Sequence, residues 1–385
     1  MEAYLDNASS TRPAQEVVDK MLETLTNDYG NPSARHIKGV EAENYIKAAR
    51  GSISKILKCR DKEIIFTSGA TESNNTAIFG AVNARKRFGT HIITTAIEHA
   101  SVRQPFLELE KIGFDVTFLP VSKEGIVDIE ALKEALSEDT ILVSVMHVNN
   151  EVGSIQPVEE IGRIVKAFDP DILYHVDGVQ AFGKIKFNFK DLHADFFTAS
   201  GHKFHGPKGT GFLYLREGVR IDPLIYGGGQ QFKMRSGTEN VPGIAGMGAA
   251  ASLVYTKDIE EKVGRVRDLR DFFTKELKNI ENVTINGASD DSVSPHIVSA
   301  TFDGIRSEVL LHALEERNIY VSSGSACSSN RPGLSFALGA MGIEGKALES
   351  TIRFSFSFET NKEELKYTLD AINELVPFLR QFVRK

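Results

Sequence analysis

Cysteine is scarce in this sequence. Only Cys59 and Cys327 occur among 385 residues, and no CxxC pair is present. This scarcity excludes a disulfide framework and a zinc site of the usual ligand spacing. Cys59 lies in ILKCRDKEI, between an apolar helical stretch and a predicted strand, where a packing role is the better interpretation. Cys327 lies among small residues, in SSGSACSS, and needs a separate explanation.

Strong charge and long apolar runs are also missing. The formal net charge is −7, and Lys and Arg are spread along the chain, which argues against a dedicated nucleic-acid surface. No apolar run approaches the length of a membrane span. The opening MEAYLDNASS has no basic segment followed by an apolar one, so we expect no signal peptide. These features predict a cytoplasmic protein without a membrane or direct nucleic-acid partner.

What the sequence does contain is an alternation of short apolar strands and amphipathic helices, from about residue 60 to about residue 255. This rhythm is typical of right-handed βαβ crossovers and predicts an α/β fold with a mostly parallel sheet flanked by helices. A long charged helix then leads into mixed strands and helices, which predicts a smaller α+β domain. We expect a large domain at 16–255 and a small one formed by 1–15 and 256–385.

Unusual polar segments follow directly after five of the predicted strands. They are SGATES, EHAS, NNEVG, DGVQ and SGHKFHGPKG. Because ligands of open α/β sheets bind beyond the carboxyl ends of the strands, we expect these segments to meet at one crevice. The dinucleotide fingerprint GxGxxG follows none of the strands, so a nicotinamide or flavin site of that type is unsupported.

Each polar segment allows a structural and a functional interpretation. SGATES is either an ordinary helix cap or a helix N-terminus that binds phosphate. Asp177 either initiates a turn or pairs with a protonated pyridine nitrogen and keeps that ring an electron sink. Lys203 has the setting of a desolvated amine that can form a Schiff base, whereas Lys208 fits a solvated loop lysine. His99 either lies on a cofactor ring and shuttles protons or is structural.

The joint order of these residues is more specific than any one of them. The sequence resembles the cysteine desulfurases, the NifS/IscS-like branch of the fold-type I (class-V aminotransferase) enzymes that use pyridoxal 5′-phosphate (PLP). The resemblance runs over essentially the whole chain. It rests on the motifs YLDNASSTRP, NPSARH, FTSGATESNN, MHVNNEVG, HVDGVQ, SGHKFHGPKG, RSGTENV, SSGSACSS and IRFSFSF.

The resemblance implies a role for each candidate residue. Lys203 would bind PLP covalently, Asp177 would pair with its pyridinium nitrogen, and Gln180 would contact its phenolic oxygen. The other implied cofactor contacts are Ala70, Thr71, Ser200 and His202 at the phosphate, His99 on the ring, Asn150, and Thr238, which would reach the phosphate of the partner subunit in a homodimer. Asn150 and Arg353 would anchor the substrate, with the Arg353 fork matched to its α-carboxylate.

The implied reaction converts L-cysteine to L-alanine, with Cys327 as the nucleophile that carries the sulfur as a persulfide. The small residues at about 322–334 predict a mobile surface loop that moves Cys327 to the substrate and then to a partner. Nearby donors or His99 are expected to assist deprotonation of the thiol. The implied acceptors are iron–sulfur scaffolds, tRNA thiolation enzymes or proteins of thio-cofactor synthesis. We expect no resident metal, and at most a transient iron–sulfur contact at Cys327.

Two departures from the family pattern stand out. The opening reads DNASST rather than the more usual DN-A/S-A-T-T, and SSNRPGLSFALGAMG lacks the Glu-Pro-Ser often found there. Neither removes a catalytic group. Two other functions remain open: a related PLP aminotransferase or lyase, including a selenocysteine lyase, and a non-catalytic sulfur-assembly scaffold. Cys327 favours desulfuration over transamination, and the combination of Lys203, Asp177 and Cys327 counts against the scaffold.

Overall fold

The computed structural model describes residues 1–323 and 335–382. Cys327 therefore lies outside the described residues. The strands, in chain order, are β1 (Ala3–Tyr4), β2 (Ile64–Thr67), β3 (His91–Thr95), β4 (Asp115–Leu119), β5 (Thr140–Met146), β6 (Leu173–Asp177), β7 (Phe196–Ser200), β8 (Gly211–Leu215), β9 (Val283–Asn286), β10 (Ile297–Phe302), β11 (Ile319–Tyr320), β12 (Ser322–Ser323) and β13 (Thr351–Ser355).

The α-helices, in the same order, are α1 (Gln15–Thr26), α2 (Ile37–Leu57), α3 (Ala70–Arg85), α4 (Ala100–Lys111), α5 (Ile129–Ala135), α6 (Val158–Phe168), α7 (Val241–Val254), α8 (Ile259–Leu277), α9 (Ser307–Glu315), α10 (Phe336–Ala340), α11 (Lys346–Glu349) and α12 (Lys362–Arg380). Within the described ranges, no helix combines the length and the apolar character that crossing a membrane requires.

Seven of the described strands form the larger sheet, in the order β2-β8-β7-β6-β5-β3-β4. Strand β8 runs antiparallel to both of its neighbours, and every other neighbouring pair is parallel. The predicted α/β fold with a mostly parallel sheet is therefore confirmed. The parallel direction of β3, β5, β6 and β7 brings their carboxyl ends, and the polar segments that follow them, to one edge of the sheet.

Helices cover the larger sheet on both faces, which explains why its strands are apolar at successive positions. In β3, Ile93 packs into the hydrophobic cluster that contains residues of α1, α2, α6 and α7. The preceding residue, Ile92, packs into a different cluster, with residues of α3 and α4. Since successive side chains of a strand point to opposite faces, each strand contributes to both clusters.

Helix α7 is a feature that the sequence periodicity does not indicate. Its sequence VPGIAGMGAAASLV has no polar face, and most of its residues are buried. Small residues allow it to pack closely against α1 and α2. A Cβ at Gly248 would lie 2.5 Å from the Cβ of Ala49, and one at Gly246 would lie 2.8 Å from Cγ of Met21. The glycines are therefore required by the close approach of the helices.

The smaller sheet has the order β12-β13-β10-β9 and is antiparallel throughout. A separate hydrophobic cluster joins it to α8, α9 and α12 and includes Ala3 and Leu5 from the start of the chain. Strand β1 pairs in parallel with β11, which fixes the N-terminal segment beside this sheet. On this basis we propose the division into a large domain at 16–255 and a small domain made of 1–15 and 256–385.

Gly178 provides a test of the packing beneath the sheet edge. A Cβ at this position would overlap the ring of Phe197, which is fully buried on the neighbouring strand β7. Gly178→Ala should therefore destabilise the protein by roughly 1–3 kcal/mol, the usual cost of overpacking a core. The measurement is the midpoint of thermal unfolding of the cofactor-free protein.

The matched control is Gly264→Ala, in α8, where an added Cβ has no neighbour within 4 Å. This change should leave stability equal or raise it by up to about 1 kcal/mol, because alanine favours helix over glycine. Equal midpoints for Gly178→Ala and the unchanged protein would contradict the packing of Phe197 against the chain after β6.

Candidate active site

A cavity of about 480 Å³ lies at the edge of the larger sheet where the polar segments meet, and we call it the main cavity. All five segments singled out in the sequence contribute to its lining, together with the N-terminal segment and β13. The predicted site residues that line it are Ala70, Thr71, His99, Asn150, Asp177, Gln180, Ser200, His202, Lys203 and Arg353. Thr238 is exposed and does not line it.

The N-terminus of α3 opens into the main cavity. Ala70 and Thr71 are the first two residues of this helix, and Gly69 precedes them as its N-cap with φ 155° and ψ 179°, a conformation suited to glycine. Backbone N–H groups in the first turn of a helix have no partner inside the helix, and the helix dipole places positive charge there. Ser200, at the end of β7, borders the same space. This arrangement suits a phosphate group.

Asp177 is the last residue of β6 and is 5% exposed. Its Oδ2 accepts a hydrogen bond of 2.9 Å from Nδ2 of Asn74, and its Oδ1 accepts one of 3.0 Å from the backbone N–H of Val179. Burial raises the pKa of the Asp177 carboxyl, although the Val179 hydrogen bond, His99, Asn74 and Lys203 act in the opposite direction. A cationic N–H at this position would stabilise the charged carboxylate.

Lys203 ends a single 3₁₀ turn, Gly201–Lys203, directly after β7. Its Nζ donates hydrogen bonds to the backbone oxygens of Ala8, at 2.7 Å, and Ser9, at 2.9 Å. The neighbouring His202 is neutral, because burial and the adjacent lysines lower its pKa to about 4. Lys208 also borders the main cavity but is exposed. The amine inside the cavity is therefore that of Lys203.

Arg353 lies in β13 and is 4% exposed. Its Nη1 donates to the backbone oxygen of Asn150 at 2.7 Å, and its Nη2 donates to Oδ1 of Asp6 at 2.8 Å and to Oγ of Ser9 at 2.6 Å. Its Nε is buried without a partner among the described residues. A planar guanidinium with an unused buried donor, at the wall of a cavity, fits a carboxylate ligand.

Several residues of the site are not found by the sequence reasoning. Asp6 and Ser9 contact Arg353, and Asn74 contacts Asp177. Lys184 is buried, and its Nζ donates to Oε1 of Gln180 at 2.5 Å. Burial and the charges of Lys203 and Arg353 hold the pKa of Lys184 well below its usual range. Asp6, Ser9 and Asn74 lie inside the motifs quoted above, so a closer examination of those motifs could have found them.

The comparisons with known proteins agree with this geometry. The sequence profile of the family described as aminotransferase class-V matches residues 3–368. The chain belongs to the class-V aminotransferase family. A curated relative, "Cysteine desulfurase IscS" of Dictyoglomus turgidum, is 43% identical over 380 residues, which covers 98% of this chain and 95% of the relative.

Two solved structures extend the likeness to the fold. A structure titled "NifS-like protein" superposes with a TM-score of 0.92 at 39% identity and covers 98% of this chain and 100% of its own. A structure titled "SspA in complex with cysteine" has a TM-score of 0.80 at 36% identity, with 92% of this chain and 98% of its own covered. The family resemblance derived from the motifs is confirmed.

PLP is the cofactor of this family, and the residues of the main cavity fit it. A phosphate matches the free N–H groups at the start of α3, and a protonated pyridine nitrogen matches the buried carboxylate of Asp177. The amine of Lys203 borders the same cavity. Within residues 1–323 and 335–382, no three His, Cys, Asp or Glu side chains group together as metal ligands.

Lys203 can be tested as the covalent attachment point of PLP. Borohydride reduction of the holoprotein, followed by peptide mapping, should place the pyridoxyl label on Lys203, because its amine borders the cavity beside Asp177. Lys203→Ala should lose the label, and Lys208→Ala should keep it as the matched control. A label on Lys208, or on the buried Lys184, would show that the site is assigned to the wrong lysine.

Proposed function

We propose that this chain is a PLP-dependent cysteine desulfurase. It converts L-cysteine and an acceptor thiol to L-alanine and an acceptor persulfide. The observation that carries the proposal is the main cavity, which brings Lys203, Asp177 and Arg353 together in a class-V aminotransferase fold. The name of the Dictyoglomus turgidum relative and the cysteine-bound structure of similar fold support the choice of substrate.

Arg353 and Asn150 would select an amino acid by its carboxylate. The guanidinium of Arg353 is already oriented by Asp6, Ser9 and the Asn150 backbone, so little side-chain freedom is lost when a carboxylate binds. Asn150 lines the same cavity. Orientation by these two residues leaves the substrate's amino group and side chain facing the interior of the cavity, where Lys203 lies.

Bound PLP supplies an electron sink for the carbon atoms of the substrate. Lys203 would hold the cofactor and then transfer protons at the substrate's α-carbon with its amine. Asp177 would keep a proton on the ring nitrogen, since a buried carboxylate is stabilised by a cation beside it. Gln180, whose amide is fixed between the Ala8 carbonyl and Lys184, would hold the ring's phenolic oxygen.

Cys327 would provide the nucleophile. Its thiolate would attack the sulfur of L-cysteine, and the carbon–sulfur bond would break with its electron pair left on the carbon side, where a proton completes L-alanine. The sulfur would stay on Cys327 as a persulfide. The described residues at both ends of segment 324–334 support this role. Ser322 pairs with Arg353 in the smaller sheet, and Ser335 donates a hydrogen bond of 2.5 Å to Glu151, the residue after Asn150.

Replacement of Cys327 separates desulfuration from other reactions of the same fold. Cys327→Ser should still bind PLP and give an absorbance change when L-cysteine is added. Alanine and persulfide formation should fall more than about a hundredfold, because the nucleophile is lost. The measurements are alanine release from L-cysteine and persulfide labelling of the protein.

Cys59→Ser is the matched control and should change neither product. Cys59 is partly buried, and burial with nearby Glu63 raises the pKa of its thiol to about 12, so it is not a reactive thiolate at neutral pH. If Cys327→Ser kept full alanine production with a thiol acceptor, desulfuration through Cys327 would be refuted and a lyase would be the better assignment.

A homodimer is part of the proposal. One face of α1 carries Val18, Leu22 and Leu25, spaced three and four residues apart, and the last two are 57% and 59% exposed. Tyr29 and Ile37, which follow, are 73% and 67% exposed. Exposed apolar side chains at this density are typical of an interface between subunits.

Replacement of Thr238 tests whether one subunit contributes to the PLP site of its partner. Since Thr238 is exposed and lies outside its own chain's cavity, it is available to the phosphate bound by the partner subunit. Thr238→Ala should raise the PLP dissociation constant about tenfold or more, the effect of losing one hydrogen bond to a charged group. Thr284→Ala, at an exposed position of β9, is the control and should leave PLP retention unchanged.

The outcome that would refute the dimer is a monomer, measured by sedimentation, that retains PLP and full activity.

We further propose that the enzyme works in the cytoplasm and that its acceptor is a protein of iron–sulfur assembly, tRNA thiolation or thio-cofactor synthesis. Capture of partners from the native host with Cys327 intact, compared with Cys327→Ser, would distinguish these acceptors.

A further inference from the structure

A continuous chain of hydrogen bonds joins Asp177 to His99, and neither Asn74 nor Ser101 within it has an assigned role. Nδ2 of Asn74 contacts Oδ2 of Asp177 at 2.9 Å and Oγ of Ser101 at 2.9 Å. Oγ of Ser101 contacts Nδ1 of His99 at 2.8 Å. Asn74 is fully buried and Ser101 is 7% exposed, so the bond between Asn74 and Asp177 is shielded from bulk water.

The orientation of the Asn74 amide follows from its two neighbours. The hydroxyl of Thr198, which is fully buried, donates to Oδ1 of Asn74 at 2.6 Å. The other side of the Asn74 amide faces Asp177, and an ionised carboxylate can only accept hydrogen bonds. The NH₂ group of Asn74 must therefore face Asp177 and Ser101, and it uses one N–H for each.

The direction of the next bond follows from the first. Oγ of Ser101 accepts an N–H from Asn74, and its own proton is then available to Nδ1 of His99. The backbone N–H of Ser101 also donates to Nδ1, at 3.1 Å, because His99 is the N-cap of α4. Two donors meet at Nδ1, so this nitrogen is an acceptor and carries no proton.

We propose that His99 is held as the neutral tautomer with its proton on Nε2, and that Asn74 and Ser101 are the positioning residues that link this tautomer to the charge of Asp177. Nδ1 bonds to Ser101, whereas Nε2 makes no hydrogen bond to the described part of the chain, and the His99 side chain lines the main cavity. His99 therefore presents an N–H donor to whatever occupies the cavity.

The surroundings of His99 oppose the imidazolium form. A proton on Nδ1 would remove the cap of α4 and place positive charge at a helix N-terminus. Burial lowers the pKa of His99. Of the charged groups that act on it, Asp177 opposes this shift and Lys203 reinforces it. His99 therefore stays neutral at pH 7 and keeps its N-cap bond.

The chemical consequence rests on the proposed function. A neutral imidazole with its proton on Nε2 cannot accept a second proton there, so His99 acts as a hydrogen-bond donor toward the cofactor ring or the substrate. On this proposal, Nε2 of His99 does not take the proton of the Cys327 thiol.

The tautomer can be measured directly by NMR on the holoprotein labelled with ¹⁵N-histidine. Long-range ¹H–¹⁵N spectra distinguish a protonated Nε2 from a protonated Nδ1, and His99→Gln identifies the signals of His99. We expect the proton on Nε2 between about pH 6 and pH 8. A proton on Nδ1, or an imidazolium at pH 7, would overturn the proposal.

Variants test whether Asn74 and Ser101 link the tautomer of His99 to Asp177. Ser101→Ala removes one hydrogen bond to the neutral ring, so the pKa of His99 should rise by about one unit in the same spectra. Asn74→Ala and Thr198→Val should also raise the pKa of His99. After either change, the hydroxyl of Ser101 can rotate and accept a hydrogen bond from a protonated Nδ1 of His99. Ser101→Thr keeps a hydroxyl and should restore the original titration.

Ser73→Ala is the matched control, since Ser73 is fully buried in α3 beside Asn74 but bonds to Thr67 and stands outside the chain. It should leave the titration of His99 unchanged. An unshifted pKa in folded Ser101→Ala would refute the link. These spectra need neither substrate nor turnover, so their outcome is independent of the assay of alanine release that tests the proposed function.

Discussion

The constraint on which the site depends is the burial of several charged groups around one cavity. Arg353 and Asp177 line the main cavity and are 4% and 5% exposed, and Lys203 lines the same space. Lys184, which is 7% exposed, does not line this cavity but donates to Gln180, which does. A buried charge is costly unless it has hydrogen-bond partners. Much of that requirement is met by the N-terminal segment, residues 6–11, which lies between the two sheets.

The N-terminal segment contacts four residues of the site. The carbonyls of Ala8 and Ser9 accept from Lys203, and the carbonyl of Ala8 also accepts from Nε2 of Gln180. Asp6 and Ser9 accept from Arg353. Thr11 donates through its backbone N–H and its hydroxyl to the carbonyl of His202. One segment thus fixes Lys203 and Arg353 relative to each other.

The sequence predicts the sheet and its polar edge well because both depend on local patterns. Apolar strands of four to seven residues, separated by amphipathic helices, identify β2 to β8, and the polar residues at their ends identify Asp177 and Lys203. The same patterns do not predict helix α7, because it has no polar face and its packing is set by small residues. Local patterns do not predict the contacts of Ser9 either, because its partner Arg353 is 344 positions away in the sequence.

The contacts of Ser9 explain what the departure from the family pattern at DNASST does in the structure. The hydroxyl of Ser9 donates to Asp6 at 2.8 Å and accepts from Nη2 of Arg353 at 2.6 Å. It therefore adds a polar link between the segment and Arg353.

The described residues on either side of segment 324–334 are attached at Arg353 and beside Asn150, which both line the main cavity. At one end, Ser322 pairs with Arg353 across the smaller sheet. At the other, Ser335 is the N-cap of α10 and donates to Glu151. Burial raises the pKa of the Glu151 carboxyl, and the Ser335 hydrogen bond and the charge of Arg353 oppose that shift. One end is therefore attached beside Arg353 and the other to Glu151, the residue after Asn150.

Phe336 adds a further contact at the second end, because the guanidinium of Arg103 lies 4.1 Å from the centre of its ring. Arg103 belongs to α4, the helix whose N-cap is His99. The chain that leaves segment 324–334 is thus joined to the same helix that orients the imidazole in the main cavity. A carboxylate arriving at Arg353 would reduce the positive charge that acts on Glu151. Arg353 and Ser335 thus act on the same carboxyl, that of Glu151, and Ser335 is the N-cap of α10.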